Sequence, residues 1–415
     1  MHKKIAKCRL CGNKNLGSIL NLGHQALTGV FPRSPKEKIS KAPLELVKCT
    51  EGEGGCGLVQ LRHSADLHEM YGDNYGYRSG LNASMVAHLQ GKVKKILATV
   101  KLRAGDLVLD IGSNDATLLK LYPKQKRLRL VGIDPVGKKF KQFYTERVEL
   151  IPDFFSVEVL QKAIPHSQAK VITSIAMMYD LEHPLEFVRE VASVLADDGI
   201  WIFEQSYMPT MLKVNAYDTI CHEHLEYYRL QQIKWMTDRA NLKIIDVELN
   251  DINGGSISVA VVKKTAPYKE ATPKIRMLLE KEKRSKLHTM EPYGAFADRV
   301  YSHRYELKTT LAKLQRKGEI VIGWGASTKG NVLLQFCGIT AKDLSHIGEV
   351  NEEKYGAYTP GTNIPIVSEE EAKKTGAKYL LVLPWHFKRY FLSREVTYLR
   401  KGGKFIFPLP KVHII

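Results

Sequence analysis

Short apolar runs alternate with helical patterns through the middle and the end of this chain, and the first two runs in the middle close on an acid. Leu107-Val-Leu-Asp-Ile-Gly ends in Asp110 and Gly112, and Ser113-Asn114-Asp115 then leads into the helical stretch ATLLKLYPK. Leu130-Val-Gly-Ile repeats the pattern and closes on Asp134-Pro135. Together these predict the first βαβ unit of a doubly wound sheet, with ligands expected beyond the carboxyl ends of its strands. Val171-Ile-Thr-Ser-Ile-Ala-Met-Met and GIWIFEQSYMP predict two further strands. A second alternation begins at Glu319-Ile-Val-Ile-Gly323 and continues through the helix VLLQF, the segments 343–349 and 358–362, and the run Tyr379-Leu-Leu-Val-Leu-Pro384-Trp385. Between the two, residues 263–317 intersperse Lys and Arg with Glu at helical spacing, which predicts long connecting helices with a solvated surface. The fold class is α/β, divided as 1–66, 67–262, 263–317 and 318–415.

Composition narrows the function classes. The chain has 415 residues, 44% of them hydrophobic, enough for buried cores in two to four domains. No apolar run reaches the roughly 18 to 20 residues of a bilayer span. Met1-His2-Lys3-Lys4 leads into a polar stretch with cysteines instead of a signal-peptide core, so a cytoplasmic protein with no membrane partner is expected. The net charge of +18 first suggests nucleic acid, but its distribution argues otherwise. Residues 1–110 carry +8, residues 111–250 carry −2 and residues 251–415 carry +12. No nucleic-acid partner is expected, and the chain is expected to be a monomer.

Four of the six cysteines fall in the first 56 residues. Cys8 and Cys11 form a CxxCG knuckle, and Cys49 and Cys56 form a second, looser pair around the glycine-rich TEGEGG. Four thiolates in two local pairs suit tetrahedral zinc, and a site with all four positions filled by protein is structural. The alternative of two disulfides needs an oxidising compartment. Cys221 and Cys337 stand singly.

Where a dinucleotide fold shows GxGxxG, this chain has DIGSNDATL. The pattern resembles the S-adenosylmethionine site of class I methyltransferases, in which an acid closing the second strand accepts both ribose hydroxyls. The resemblance implies cofactor contacts from Asp110, Gly112, Asn114 and Asp115 in the first turn, from Asp134 and Pro135, from Asp153, Phe154 and Phe155 beside the adenine, and from Ser174 on the fourth strand. A nicotinamide enzyme is the rival reading, and Asp110 as a purely structural loop cap is another.

Past GIWIFEQSYMP lies Asp218-Thr-Ile-Cys221-His222-Glu223-His224-Leu225-Glu226. In an extended segment His222 and His224 share one face and Glu223 takes the other. A metal pair, packed histidines and a general base with a carboxylate partner are all compatible with this pattern.

The order CRLCG, YGYRSGLNASM, VLDIGSND, DLEHPLEF, ICHEHLEYY, NGGS, GWGASTKGN and YTPGTNIPI resembles the sugar C-methyltransferase family, over almost the whole chain. These enzymes act on nucleotide-linked 4-keto-deoxysugars. The resemblance implies a zinc module (1–66), an S-adenosylmethionine domain (67–262), connecting helices (263–317) and a Rossmann-like half that helps hold the nucleotide sugar (318–415). It assigns His224 as base, Glu223 as its partner, and Tyr75 or Tyr77 as a phenol near the sugar carbonyl or cofactor. Some relatives have Tyr where this chain has Cys221, so a different group must then support the enolate.

Carbon methylation needs a base, because the C3 proton must leave before C3 can attack a methyl group. The strand and glycine loop Gly323-Trp-Gly325-Ala326-Ser327-Thr328-Lys329-Gly330-Asn331, with Lys329 and the helix-start amides, suits a diphosphate, although a plain tight turn has the same pattern. The resemblance places His222, Asn253, Gly255, Ser256, Ser327, Lys329, Asn331 and Tyr358 around the substrate. The expected activity is C3-methylation of a GDP- or dTDP-linked 4-keto-6-deoxyhexose. Its rivals are an O- or N-methyltransferase acting on a sugar or RNA, and a zinc-ribbon nucleic-acid-binding protein.

Overall fold

The computed structural model describes residues 2–52, 54–71 and 77–415, without the side chains of Leu67 and His68. The N-terminal module is a small antiparallel sheet of β1 (Leu16–Ala26), β2 (Lys41–Cys49) and β3 (Val59–Leu61). A fourth strand, Glu226–Tyr227, comes from far along the chain and pairs with β3. The module therefore cannot be completed from its own residues.

The central sheet follows the alternation read from the sequence. Its strands are β4 (Leu107–Ile111), β5 (Arg129–Ile133), β6 (Val148–Ile151), β7 (Ala169–Ile175), β8 (Leu195–Ser206), β9 (Leu242–Asn250) and β10 (Ser256–Lys263), in the spatial order β9-β10-β8-β7-β4-β5-β6. The run from β8 to β6 is parallel, and β10 enters antiparallel between β8 and β9. Strand order reverses between β4 and β7, which is where a doubly wound sheet opens a ligand crevice. Helix α1 (Ala83–Thr99) buries Met85, Leu89, Val93 and Ile96, a stripe at spacings of four and three that packs on the sheet.

The connecting region forms α2 (Thr272–Arg284) and α3 (Glu291–Arg316). One face of each is solvated, as the charge pattern predicts, but the other is packed. Ile275, Leu278 and Glu282 are buried on α2, and Phe296, Val300, His303 and Leu307 on α3. The C-terminal sheet contains β11 (Val321–Trp324), β12 (Ile347–Glu349), β13 (Ile366–Ser368), β14 (Tyr379–Val382), β15 (Lys404–Phe407) and β16 (His413–Ile414), in the order β13-β12-β11-β14-β15-β16. Helix α4 (Thr328–Cys337) follows β11.

The module packs on both larger sheets. Cys8, Cys49, Cys56 and Leu58 share a buried cluster with Leu109, Ile172 and Trp201, whereas Leu20, Leu22, Leu44 and Leu46 share one with Trp324, Leu333 and Ile347. Among the described residues no helix is long and apolar enough to cross a membrane.

Candidate active site

The four N-terminal cysteines converge. The knuckle closes through Gly12 N–H to the Cys8 carbonyl at 2.9 Å, with Gly12 at φ +75°, and the four Sγ atoms lie within 4.8 Å of one another. Cys8 and Cys56 stand 3.7 Å apart and Cys11 and Cys49 3.5 Å. A tetrahedron with Zn–S of about 2.3 Å sets sulfurs about 3.8 Å apart, whereas a disulfide needs about 2.05 Å. Gln60 Nε2 donates to Cys8 Sγ at 3.1 Å, which neutralises part of the thiolate charge. The chemistry of this donor set fits structural zinc, with no open position for catalysis.

A cavity of about 270 Å³ opens at the carboxyl ends of β4, β5 and β7. Asp110, Gly112, Asn114, Asp134, Pro135, Phe154 and Phe155 line it, with Tyr77, Asn253 and Ser256. Asp110 accepts from Thr173 Oγ1 at 2.5 Å, and burial moves its carboxyl up to about 7. Gly112 has φ +76°, and a Cβ there would stand 3.1 Å from Met177, so the first turn requires glycine. Asp134 ends β5 and accepts from the Asn114 and Val136 amides, both at 2.8 Å, which fixes its carboxylate at the cavity wall.

Three expected cofactor contacts lie elsewhere. Side chains alternate along β7, so with Thr173 turned to Asp110, Ser174 turns away and accepts from the buried Trp201 Nε1 at 2.8 Å. Asp115 accepts from the amides of Gly80 at 3.0 Å and Thr117 at 3.2 Å, and so holds the segment after Tyr77 against the loop. Asp153 is exposed and accepts from its neighbour, the Phe154 amide, at 2.7 Å.

Among the lining residues that the sequence reading did not name as contacts are Asp180 and Gln205. Both polar side-chain atoms of Gln205 and Oδ1 of Asp180 are buried without a hydrogen-bond partner. Unpaired polar groups of this kind cost free energy until something satisfies them, which fits a polar ligand in this cavity. The available signal was a polar residue at the end of an apolar run, Gln205 closing GIWIFEQ and Asp180 closing VITSIAMMYD. The residues present therefore fit S-adenosylmethionine, with Asp134 suited to the ribose and Phe154 and Phe155 to the adenine.

Beyond the cavity wall lies the segment 218–224. Residues 222–223 form a turn closed by His224 N–H to the Cys221 carbonyl at 3.1 Å. The expectation of an extended segment with both histidines on one face is therefore corrected. His222 Nε2 donates to the Ala42 carbonyl of β2 at 3.1 Å, and burial lowers its pKa to about 4. His222 thus turns its Nε2 to the N-terminal module.

His224 packs its ring on Tyr179, with centroids 4.2 Å apart, and its Nδ1 donates to the Thr219 carbonyl at 2.9 Å. That bond fixes the tautomer and leaves Nε2 as the free lone pair. Burial and the Lys329 ammonium hold His224 down to about 3, so the imidazole is neutral. Glu223 is not its partner. The turn sends that carboxyl to Thr28 Oγ1 at 3.3 Å, and it packs against Gly29, where a Cβ would meet Glu223 Oε1 at 2.2 Å. His224 is instead oriented by a main-chain carbonyl.

The glycine loop after β11 also departs from expectation. The Ala326 amide donates to Glu349 Oε2 at 2.6 Å, and Ser327 Oγ caps the Gly330 amide at 3.0 Å. Lys329 Nζ donates to the Asn253 carbonyl at 2.9 Å, and Asn331 Nδ2 donates to the Thr28 carbonyl at 2.8 Å. Local acceptors thus satisfy two amides offered for a diphosphate and hold the two side chains named with them. The Tyr358 amide donates to the Pro32 carbonyl at 2.8 Å, at the module boundary. Gly255, at φ +120°, lies so close to Thr210 that a Cβ would stand 2.2 Å from its Cγ2. Tyr75 lies outside the described residues.

Three family models match successive parts of the chain. Residues 8–71 match a family model described as "Putative zinc binding domain", residues 85–247 a "Methyltransferase domain", and residues 251–410 a "C-methyltransferase C-terminal domain". The chain is 30% identical to the C-methyltransferase NovU of Streptomyces niveus over 416 residues, covering 100% of this chain and 97% of that relative. Among solved structures, an O-methyltransferase family protein from Burkholderia thailandensis is 15% identical, with 44% of this chain and 58% of that chain covered and a TM-score of 0.34. The 1,6-didemethyltoxoflavin-N1-methyltransferase of the same organism is 9% identical, with 43% and 77% covered and a TM-score of 0.32.

Proposed function

From the premise that this chain belongs to the S-adenosylmethionine-dependent C-methyltransferase family, we propose that its substrate is a nucleotide-linked 4-keto-6-deoxyhexose, carried on GDP or dTDP and methylated at C3. The observation that carries this reading is the state of His224. Its Nδ1–H is committed to Thr219, it is held neutral, and Nε2 is left to accept a proton beside Tyr179, whose chain neighbour Asp180 lines the cofactor cavity. Methylation of an oxygen or nitrogen lone pair makes less demand on such a base than carbon does.

A 4-keto group acidifies the C3 proton. His224 Nε2 takes that proton, the C3–H electron pair forms the C3–C4 double bond, and the carbonyl π pair moves onto O4. Bound S-adenosylmethionine supplies a sulfonium methyl as the electrophile for C3. The Thr219 carbonyl stabilises the imidazolium through Nδ1–H and keeps Nε2 aimed while the proton is held. The match of residues 251–410 to a C-methyltransferase C-terminal domain supports a part for that half in holding the nucleotide sugar, and the module of residues 1–66 acts as scaffold.

The test uses heavy water and a panel of GDP- and dTDP-linked 4-keto-6-deoxysugars, with and without S-adenosylmethionine, reading C3 exchange and added mass. Wild-type protein is expected to exchange C3 and add one methyl to one sugar class. His224→Asn is expected to lose both while still binding S-adenosylmethionine. No exchange and no methyl on any sugar sinks the substrate assignment, and full activity of His224→Asn sinks the base assignment.

A further inference from the structure

The proposed reaction develops a full negative charge on O4, and the residues nearest His224 offer few donors for it. His222 is spent on Ala42, the Glu223 carboxyl is spent on Thr28, and the buried Cys221 thiol, though it keeps its proton, is only a weak donor. Lys329 differs from all three. Its ammonium has three N–H donors, and the Asn253 carbonyl takes one at 2.9 Å.

Its location is also specific. Asn253 belongs to the wall of the cofactor cavity. On the other side, the Cβ position of Gly29 lies 2.2 Å from Glu223 Oε1 and 3.7 Å from Thr328 Oγ1, which brings the start of α4 against the 221–224 turn. Trp385 closes the third side, donating to Asp218 Oδ2 at 2.8 Å and approaching the Cβ position of Gly254 at 3.8 Å. Lys329 therefore stands where the cavity wall, the turn bearing the base and the C-terminal half meet. We propose, resting on the 4-keto sugar reading above, that Lys329 is a catalytic residue whose ammonium receives the O4 charge of the enolate.

The electrostatics support this placement. The Lys329 charge helps hold His224 neutral, and Asp218 and Cys221 oppose the burial that weakens the ammonium. When C3–H breaks, the proton arrives on His224 Nε2 and the electron pair ends on O4. An oxyanion against Lys329 cancels the field that opposed protonation of His224, so one cation serves both halves of the charge separation. C3 then attacks the methyl carbon, the methyl–sulfur bonding pair leaves on sulfur, and the O4 charge returns to the carbonyl. His224 releases its proton to solvent, so the step needs no further reagent.

The test compares wild type, Lys329→Met and Lys329→Arg for C3 exchange in heavy water with S-adenosylhomocysteine bound, for methyl transfer at saturating sugar, and for the pH profile of kcat/KM. Calorimetric titration with S-adenosylmethionine checks that each variant keeps its cofactor site. Lys329→Met is expected to lose about 10²- to 10³-fold in both rates, as when an oxyanion donor is removed. Its acid limb is expected to move up toward the ordinary histidine range as the neighbouring charge is lost, while the exchange rate on the pH plateau, which that shift does not touch, stays low. Lys329→Arg, which keeps the charge, is expected to stay within about tenfold of wild type. An exchange rate for Lys329→Met within about threefold of wild type overturns the proposal. So does a loss confined to KM for the nucleotide sugar, which would assign Lys329 to the diphosphate instead. A wild type that neither exchanges nor methylates any 4-keto sugar overturns the substrate reading together with this one.

Discussion

Lowering the pH should weaken this fold through His222, and the size of the effect follows from its surroundings. The folded chain holds the ring neutral, with Nε2–H on the Ala42 carbonyl and Nδ1 buried without a partner, and burial lowers its pKa to about 4. Unfolded, the same imidazole titrates near 6.5. Between those values the unfolded chain binds the extra proton, so stability is full above about pH 6.5 and falls as pH drops toward 4. Each pH unit inside the window is worth at most about 1.4 kcal/mol, which makes about 3 kcal/mol in all and about 2 kcal/mol between pH 7 and pH 5. His222→Gln preserves a donor for Ala42 and removes the titration. Urea unfolding of both proteins at pH 7 and pH 5, followed by circular dichroism and tryptophan fluorescence, should show wild type losing about 2 kcal/mol more than the variant. Equal losses in the two proteins would refute a buried neutral His222. His224 and His386, both held neutral by burial, stay in place in each protein and cancel in the comparison.

Other outcomes follow from the same contacts. Cys56→Ser should lower the zinc content measured by mass spectrometry from one per chain and expose tryptophan on chelation, because the thiolate cluster shares its core with Trp201. Gly29→Ala should cut methyl transfer by at least about tenfold with zinc and cofactor retained, since the added Cβ falls 2.2 Å from Glu223 Oε1 and forces the turn to shift. Glu282→Ala should destabilise the fold by about 3 kcal/mol in urea titrations, because Tyr207 Oη and the Leu230 and Gln231 amides, at 2.7, 2.7 and 3.3 Å, lose their acceptor.

Features carried by local chemistry were legible in the sequence. The CxxCG knuckle is read directly because its turn is set by four residues, and acids closing apolar runs mark strand ends whichever partners the strands later take. Orientation was not legible where distant residues decide it. Resemblance and adjacency both paired Glu223 with His224, and the groups that draw it away, Thr28 and Gly29, lie about two hundred residues earlier. Glu282 sits within a run of charges that predicts solvated surface, yet it is 2% exposed because it caps amides more than fifty residues earlier on another helix. The glycine loop drew attention to Lys329 in the sequence, but its direction was hidden, because its acceptor, the Asn253 carbonyl, lies 76 residues earlier.

The side chain of Gln335 has a consequence for how the chain is made. Its amide accepts from the Ala26 N–H at 2.8 Å and donates to the Ala26 carbonyl at 3.1 Å, so it completes the end of β1 as a neighbouring strand would. All four cysteines of the metal cluster are made within the first 56 residues, yet the edge of the first long strand waits for a residue synthesised 309 positions later. The finished chain is fastened start to finish, and a cut that removes the C-terminal half strips the end of β1 of its partner.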